Sequence, residues 1–359
     1  MIGLNMEIRI PWRVRTATYR IYQYYRCILS RLRKRKDNGL DISFFCDYHQ
    51  VTGSTVAISC IANELATVHN VDAYIKPLSG YTRLLSLNVR QYLSSNSLSG
   101  EIVFVDIEQD NNIVEGLVID NRQVILTCHA FPTLLHRVPQ PKLSRNLELS
   151  THIHFVSEHQ RSEFIRTYPA INIGQKSFVI HNYTRSSSKQ TTTNNIGIVG
   201  YANRKEKNVL KSIQLAQMSN AHLIQCWGSN QIAGLEDHKT FSKLKVNGWT
   251  DSIMEMHKSF DVLLSTSKSE TFGLAVVEAL SAGIPCVLSD IPVFRELYAE
   301  CNGVVILSGD DEQDIYSINQ LLDNAASLKE DIIEFWKKHF SNEVIKNAWL
   351  NKITELKTN

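Results

Sequence analysis

The apolar residues of this chain fall in short runs separated by polar loops and by segments with helical spacing. Residues 42–46 form one such run, and a segment at about 54–68 follows with apolar side chains at Ile58, Ile61 and Leu65. Spacings of three and four residues predict a helix with one apolar side. The order strand, short loop, helix is typical of α/β Rossmann-like folds, in which helices cover a parallel sheet.

The pattern occurs in two blocks. Strand-like runs recur at 102–107 and 124–127 in the first block, and at 196–200 and 261–264 in the second. Between the blocks, the twelve residues TRSSSKQTTTNN contain no apolar side chain, which is typical of a linker. A length of 359 residues also favours two domains.

We therefore predict an N-terminal extension, two domains and a linker. The extension is 1–40, the first domain 41–184, the linker 185–195 and the second domain 196–340. Apolar residues at helical spacing continue beyond residue 340, so we also expect a helix over about 341–359.

The extension differs from the rest of the chain in its charge. Ten arginines and lysines lie between Arg9 and Lys36, against two acids in residues 1–40, and aromatic and aliphatic residues alternate with them. A basic segment with apolar residues at helical spacing indicates an amphipathic helix, and we expect residues 9–36 to contact an anionic membrane surface. One alternative is a basic helix packed on its own domain. The other is a frayed extension, with translation starting at Met6. Nucleic acid is the weaker partner.

Composition narrows the function classes further. The formal net charge of +2 gives no global footprint for nucleic acid. The seven cysteines are scattered without a CxxC pair and are typical of buried thiols in a reducing compartment. No apolar run reaches the roughly 18 residues of a spanning helix, and no signal peptide is evident. We expect a cytoplasmic protein, peripheral on the inner face of the plasma membrane.

The stretch STSKSETFGLAVVEALSAGIP, residues 265–285, carries the chemistry of the second block. A strand leads into a polar loop, and a helix begins near Phe272 and Gly273 and runs to about Ala282. The free amides at such a helix start, together with the helix dipole, favour an anion such as a diphosphate. Glu270 and Glu278 could accept hydroxyl hydrogens of a sugar and a ribose. Taken alone, the two glutamates equally fit an amphipathic helix with solvated acids.

The whole string resembles a known family. Glu270, seven residues and Glu278, within ETFGLAVVEALSAGIP, resemble the E-x7-E signature of retaining glycosyltransferases of family 4, and the match continues through Ser289-Asp290-Ile291-Pro292. The resemblance implies the GT-B architecture, in which two Rossmann-like domains face each other across a cleft. It also implies that the C-terminal helix crosses back to the first domain.

The resemblance implies roles for particular residues. The catalytic candidates are Glu270, Lys207, Arg204 and His129. The candidates for binding the nucleotide sugar are Glu278, Thr271, Phe272, Gly273, Leu274, Gly53, Gly200 and Trp249. Two positions depart from the family pattern, because Thr52 stands at a usual glycine and Tyr201 at a usual arginine.

The function implied is the retaining transfer of a sugar from a UDP- or GDP-type donor to a glycan or lipid-linked acceptor, in bacterial envelope polysaccharide or lipopolysaccharide assembly. No other cofactor is expected. The chain has no Asp-x-Asp triplet, and its histidines lack metal-ligand spacing, so we expect no metal. The alternatives are a non-catalytic, membrane-associated subunit that binds sugar nucleotides, and a sugar-nucleotide epimerase of the same fold.

Overall fold

The computed structural model describes residues 12–32, 34–48, 52–135, 139–184, 186–187, 192–232, 241–250 and 252–358. By contacts, the chain divides into two compact units. Unit 1 comprises Met1–Cys128, Thr133–His154 and Tyr168–Phe178, and unit 2 comprises His129–Pro132, Phe155–Thr167 and Val179–Asn359.

Unit 1 is built on a sheet with the strand order β3-β2-β1-β4-β5-β6-β7. The strands are β1 (Asp41–Cys46), β2 (Asn70–Ile75), β3 (Arg90–Tyr92), β4 (Ile102–Asp106), β5 (Gln123–Thr127), β6 (His152–Phe155) and β7 (Ser177–Val179). The helices along this part of the chain are α1 (Trp12–Arg31), α2 (Gly53–Leu65), α3 (Asn111–Ile119), α4 (Gln140–Leu149), α5 (Glu158–Thr167) and α6 (Ile173–Lys176). Helix α5 belongs to unit 2 by contacts.

The central strands of this sheet are buried, which explains their nearly continuous apolar sequences. β1 runs parallel to both β2 and β4, with Phe44 paired to Ala73 on one side and to Phe104 on the other. The rings of Phe44 and Phe104 stack with their centroids 4.3 Å apart. Strands buried on both faces are typical of parallel sheets covered by helices.

Unit 2 has a second sheet, with the strand order β10-β9-β8-β11-β12-β13, all paired in parallel. Its strands are β8 (Ile196–Val199), β9 (Ile224–Trp227), β10 (Leu244–Gly248), β11 (Val262–Ser265), β12 (Cys286–Leu288) and β13 (Val304–Ile306). Its remaining helices are α7 (Val209–Met218), α8 (Ile253–Lys258), α9 (Leu274–Ser281), α10 (Pro292–Tyr298), α11 (Asp311–Asn324), α12 (Lys329–His339) and α13 (Asn342–Thr358).

Both sheets reverse their strand order at the first strand of the unit. The reversal lies between β1 and β4 in unit 1, and between β8 and β11 in unit 2. In open α/β sheets such a switch point leaves a crevice at the carboxyl ends of the strands, where ligands bind. The predicted α/β class with two Rossmann-like domains is confirmed.

Helix α9 is packed into unit 2 by an aromatic cluster. Phe272, Phe294, Tyr298 and Phe340 are buried around its start, and the Tyr298 hydroxyl donates to the Phe272 carbonyl at 2.7 Å. Burial raises the pKa of the Tyr298 phenol well above its ordinary value, so this group stays a neutral donor. The loop that carries Glu270 is therefore fixed to the core immediately before the helix begins.

The predicted domain boundaries remain predictions. Arg185 and residues 188–191 of the predicted linker lie outside the described residues, as do residues 1–11 of the extension. By contacts, the change of unit falls at Phe178–Val179, and two short segments before it already belong to unit 2. Helix α13 also groups with unit 2, and its predicted return to the first domain remains a prediction.

The extension contains a helix, α1, whose inner face is packed on unit 1. This agrees with the alternative in which the extension forms a basic helix packed on its own domain. Among the described helices, none combines the length and the apolarity needed to cross a bilayer.

Glu296 on α10 holds the start of α5. Its Oε1 accepts from the Glu158 amide at 2.8 Å and its Oε2 from the His159 amide at 2.7 Å. Helix starts leave such amides without intrahelical partners, and a carboxylate there is favoured by the helix dipole. We expect Glu296→Ala to destabilise unit 2 by about 1–2 kcal/mol, as for the loss of a helix cap.

The measurement is the free energy of unfolding from denaturant titration. Glu334→Ala is the matched control, because Glu334 is exposed on α12. Equal unfolding midpoints for Glu296→Ala and Glu334→Ala would contradict this role.

Candidate functional site at the strand ends of unit 2

Two loops meet at the switch point of unit 2, one after β8 and one after β11. Lys207, from the first loop, donates from Nζ to Oε1 of Glu270, from the second, at 2.6 Å. Ser267 Oγ donates to the same oxygen at 3.0 Å. Both side chains of the pair are largely shielded, with 24% of Lys207 and 14% of Glu270 exposed. The structure thus joins two predicted catalytic residues that are 63 positions apart.

Hydrogen bonds to backbone carbonyls fix the two loops to each other. Asn208 donates from Nδ2 to the Thr266 carbonyl at 3.1 Å, and Thr266 returns a hydrogen bond from Oγ1 to the Asn208 carbonyl at 2.9 Å. The Lys268 amide donates to the Glu206 carbonyl at 2.7 Å. These bonds set the positions of Lys207 and Glu270 without using their charged groups.

Glycines bring the strand ends close together. A Cβ on Gly228, at the end of β9, would lie 2.6 Å from the Gly200 carbonyl oxygen, and Gly228 has a φ of +103°. Gly200, at the end of β8, lies against the aliphatic part of Lys207, with 3.6 Å from its Cβ position to Lys207 Cδ. The predicted binding residue Gly200 is therefore next to the predicted catalytic Lys207.

Helix α9 begins four residues after Glu270, and its first amides lie ahead of the first hydrogen bond of the helix. Gly273 is the N-cap, with a φ of +88°, and a Cβ there would approach Phe294 Cε1 to 2.9 Å, so glycine is required. The first bond of the helix turn runs from the Val276 amide to the Gly273 carbonyl, which leaves the Leu274 and Ala275 amides ahead of it. The side chain of Phe272, another predicted binding residue, is buried in the core, so its binding role could involve only its backbone.

Glu278 lies four residues into α9 and is partly buried. Burial raises its pKa to about 7, and the described residues offer its carboxyl group neither an ion pair nor a hydrogen bond. A carboxylate in such surroundings is costly to ionise until a ligand donates hydrogen bonds to it. This is the environment expected of a group that binds hydroxyls.

Thr271 joins the Glu270 loop to the segment that follows β5. Its Oγ1 donates to the His129 carbonyl at 3.1 Å, and its own carbonyl accepts from Ser157 Oγ at 2.8 Å. The backbone of His129 therefore lies beside the loop of Glu270, and its predicted role near the transferred sugar remains a prediction. Burial lowers the pKa of His129 to about 4, so the imidazole is neutral at pH 7.

Three further predicted site residues have different local surroundings. Arg204 is exposed and forms an ion pair with Glu206, so its guanidinium faces its own loop. The ring of Trp249, directly after β10, is 68% exposed, which suits stacking on a flat ligand but does not require it. Gly53 is exposed at the start of α2 in unit 1, where Thr52 caps the helix with Thr55. Their binding roles remain predictions.

A further cluster at the switch point of unit 1 was not predicted from the sequence. Asp106 ends β4, and Tyr48 follows β1; the Tyr48 hydroxyl donates to Asp106 Oδ2 at 3.3 Å. Burial raises the pKa of Asp106 to about 6 and that of Tyr48 well above its ordinary value. The signal available in the sequence was an acid at the end of an apolar, strand-like run.

Within the described ranges, no three histidine, cysteine or acidic side chains are grouped so that they could hold a metal ion. The expectation of metal-independent chemistry remains a prediction.

Residues 180–339, which make up less than half of the chain, match the family described as glycosyl transferases group 1. The O-antigen biosynthesis glycosyltransferase WclY of Escherichia coli is 35% identical over 74 residues, which are 18% of this chain and 21% of that protein. The match therefore spans only about a fifth of that relative.

Solved structures resemble the chain over most of its length. The Anabaena protein HepE in complex with UDP has a TM-score of 0.72 at 14% identity, over 88% of this chain and 100% of that one. The apo lipopolysaccharide outer core galactosyltransferase WaaB has a TM-score of 0.63 at 14% identity, over 88% and 99%. These similarities establish the GT-B type of fold.

The pKa of Glu278 predicts how nucleotide affinity depends on pH. If the ribose hydroxyls donate to the ionised carboxylate, binding lowers a pKa that is about 7 in the free protein, and a proton is released. We expect the affinity for UDP to rise between pH 6 and 8, beyond the change due to ionisation of UDP itself. Calorimetric titration of wild type and Glu278→Gln with UDP separates the ionisation of Glu278 from that of UDP, because only the wild type has the Glu278 contribution to the pH dependence of the affinity. Identical pH profiles would reject the ribose contact.

Proposed function

We propose that the chain is a retaining, metal-independent glycosyltransferase that moves a sugar from a UDP- or GDP-type donor to a glycan or lipid-linked acceptor. The observation that carries the proposal is the Lys207–Glu270 ion pair at the switch point, in the loop that leads into α9. Crevices of this kind bind nucleotides, and this one offers a cation, backbone donors and two acids.

The donor diphosphate would bind to Lys207 and to the Leu274 and Ala275 amides. An ammonium group has three donors, so Lys207 can bind Glu270 and a phosphate oxygen together. Charge that develops on the leaving diphosphate would be stabilised by these fixed donors, which is commonly the largest single contribution to catalysis. Glu270 would accept hydroxyl hydrogens of the transferred sugar, and Glu278 those of the ribose.

Retention follows if the leaving diphosphate itself accepts the proton of the incoming hydroxyl on the same face of the sugar. The bond from the sugar to the diphosphate breaks, the bond to the acceptor oxygen forms, and the proton passes to a phosphate oxygen. Glu270 is held by Lys207 and Ser267 and serves in positioning. Neutral His129 would line the sugar subsite.

The acceptor would bind to unit 1. Asp106 and Tyr48 stand at the switch point of that sheet, and both can form hydrogen bonds with hydroxyl groups. The names of WclY and WaaB support, by analogy alone, a place in O-antigen or lipopolysaccharide assembly.

Removing the Lys207 charge tests the donor site. We expect Lys207→Met to lower kcat/KM by about 100-fold or more, because a preorganised donor to the leaving group is lost. Release of UDP or GDP is measured over a panel of nucleotide sugars. The control is Lys205→Met, which removes an exposed charge from the same loop.

Equal rates for the Lys207 and Lys205 variants would refute the donor site. Donor binding without turnover on any acceptor would instead favour the non-catalytic subunit, and conversion of the donor sugar to its epimer would favour an epimerase. The anomeric configuration of the product, read by NMR, tests retention, and unchanged rates with EDTA test metal independence.

Asp106 gives a test of the acceptor site that leaves the donor site intact. We expect Asp106→Asn to lower sugar transfer about tenfold through a higher acceptor KM, and to leave donor hydrolysis unchanged, because a single hydrogen bond to a charged group is weakened. Glu108→Gln, an exposed acid two residues on, is the control. A parallel fall in hydrolysis would place Asp106 outside the acceptor site.

A further inference from the structure

The inner face of α1 is attached to unit 1 by polar contacts that the sequence did not reveal. Gln23 donates to the Thr82 hydroxyl at 2.8 Å and to the Ser79 carbonyl at 3.2 Å, and its Oε1 accepts from the Leu78 amide at 2.6 Å. Ser30 Oγ accepts from the Gln91 amide at 3.0 Å. These buried contacts fix which side of the helix faces outward.

The outward side is apolar and exposed. Its residues follow each other at intervals of three, one, three and four, so they form one stripe along the helix that ends at Leu32, directly after the last helical residue. Their exposed fractions are 69% for Ile21, 60% for Tyr24, 59% for Tyr25, 52% for Ile28 and 74% for Leu32. Single exposed apolar residues are common in soluble proteins, whereas a contiguous patch usually marks an interaction surface.

The surroundings of this stripe are basic. Residues 12–36 contain nine arginines and lysines and no acid. Arg35 and Lys36 bind to Asp72 and to the Ala66 carbonyl although they are exposed, and Arg20, Arg31 and Lys34 are exposed as well. At about 100° per residue, Arg20 and Arg31 lie roughly a quarter turn from the centre of the stripe. The face is an apolar band with a cationic edge.

We propose that the α1 stripe (Ile21, Tyr24, Tyr25, Ile28 and Leu32) docks unit 1 on a lipid surface that contains anionic lipid. This goes beyond the proposed transfer reaction and does not depend on it. The helix would lie in the interface, since its opposite face is hydrogen-bonded to protein. Tyrosines suit the headgroup level, and the basic edge complements anionic lipid. A second copy of this face fits less well, because it would bring like charges together.

The test is flotation of the full chain with phosphatidylcholine vesicles, with and without phosphatidylglycerol. We expect the wild type to float with the anionic vesicles and to be released by high salt. The double variant Tyr24→Ser/Ile28→Ser should bind them at least about tenfold more weakly, because apolar area is lost from the membrane contact. Arg20→Ala/Lys34→Ala should lose the preference for phosphatidylglycerol.

Ile119→Ser is the matched control, since Ile119 in unit 1 is an apolar side chain that is 73% exposed and lies outside the stripe. Its flotation should equal that of the wild type. Because all substituted side chains are exposed, thermal midpoints should be unchanged, which excludes unfolding as the cause. Equal flotation of the stripe variant and the wild type, or no flotation of the wild type with either vesicle, would overturn the proposal and leave a protein partner for this face.

Discussion

The ion pair between Lys207 and Glu270 is the interaction on which the candidate site depends. Neither residue lies on a strand or a long helix, so their positions are set by the loops after β8 and β11. Those loops meet because their strands are neighbours at the point where the sheet reverses its order. Both side chains are largely shielded from water, so each charge is stabilised by the other. An anionic ligand that binds there would meet the Lys207 ammonium group already in position.

The surrounding backbone makes this arrangement rigid. The loops exchange hydrogen bonds through Asn208 and Thr266, and the end of β9 approaches the end of β8 closely enough to require Gly228. On the other side, the Phe272 carbonyl is held by Tyr298 in an aromatic core. Fixed donors and acceptors of this kind need no reorganisation when charge develops, which is the physical basis of electrostatic catalysis.

Unit 1 contributes two surfaces of different character. The cluster of Asp106 and Tyr48 stands at the switch point of its sheet, where burial keeps both groups closer to neutral than usual. Helix α1 buries Gln23, Cys27 and Ser30 on one side and exposes large apolar residues on the other. The two interpretations of the extension, packed helix and lipid contact, therefore do not compete, because they concern opposite faces.

Much of the fold was available from the sequence. The alternation of apolar runs with helical spacing predicted β1, β4, β5, β8 and β11 to within about two residues, and the glycine before Leu274 predicted the start of α9. Short or polar elements such as β3 and α4 carry too few apolar positions to be recognised by period alone.

The sequence by itself determined the α/β class, the E-x7-E string and the residue types of the site, because these follow from local periodicity and from short motifs. Only the tertiary structure decided that Lys207 binds Glu270, that Arg204 turns to Glu206, and that Asp106 meets Tyr48. It also decided which side of α1 is buried. Each of these depends on contacts between segments or on loop geometry, and no local pattern in a chain encodes which strand ends become neighbours in a sheet.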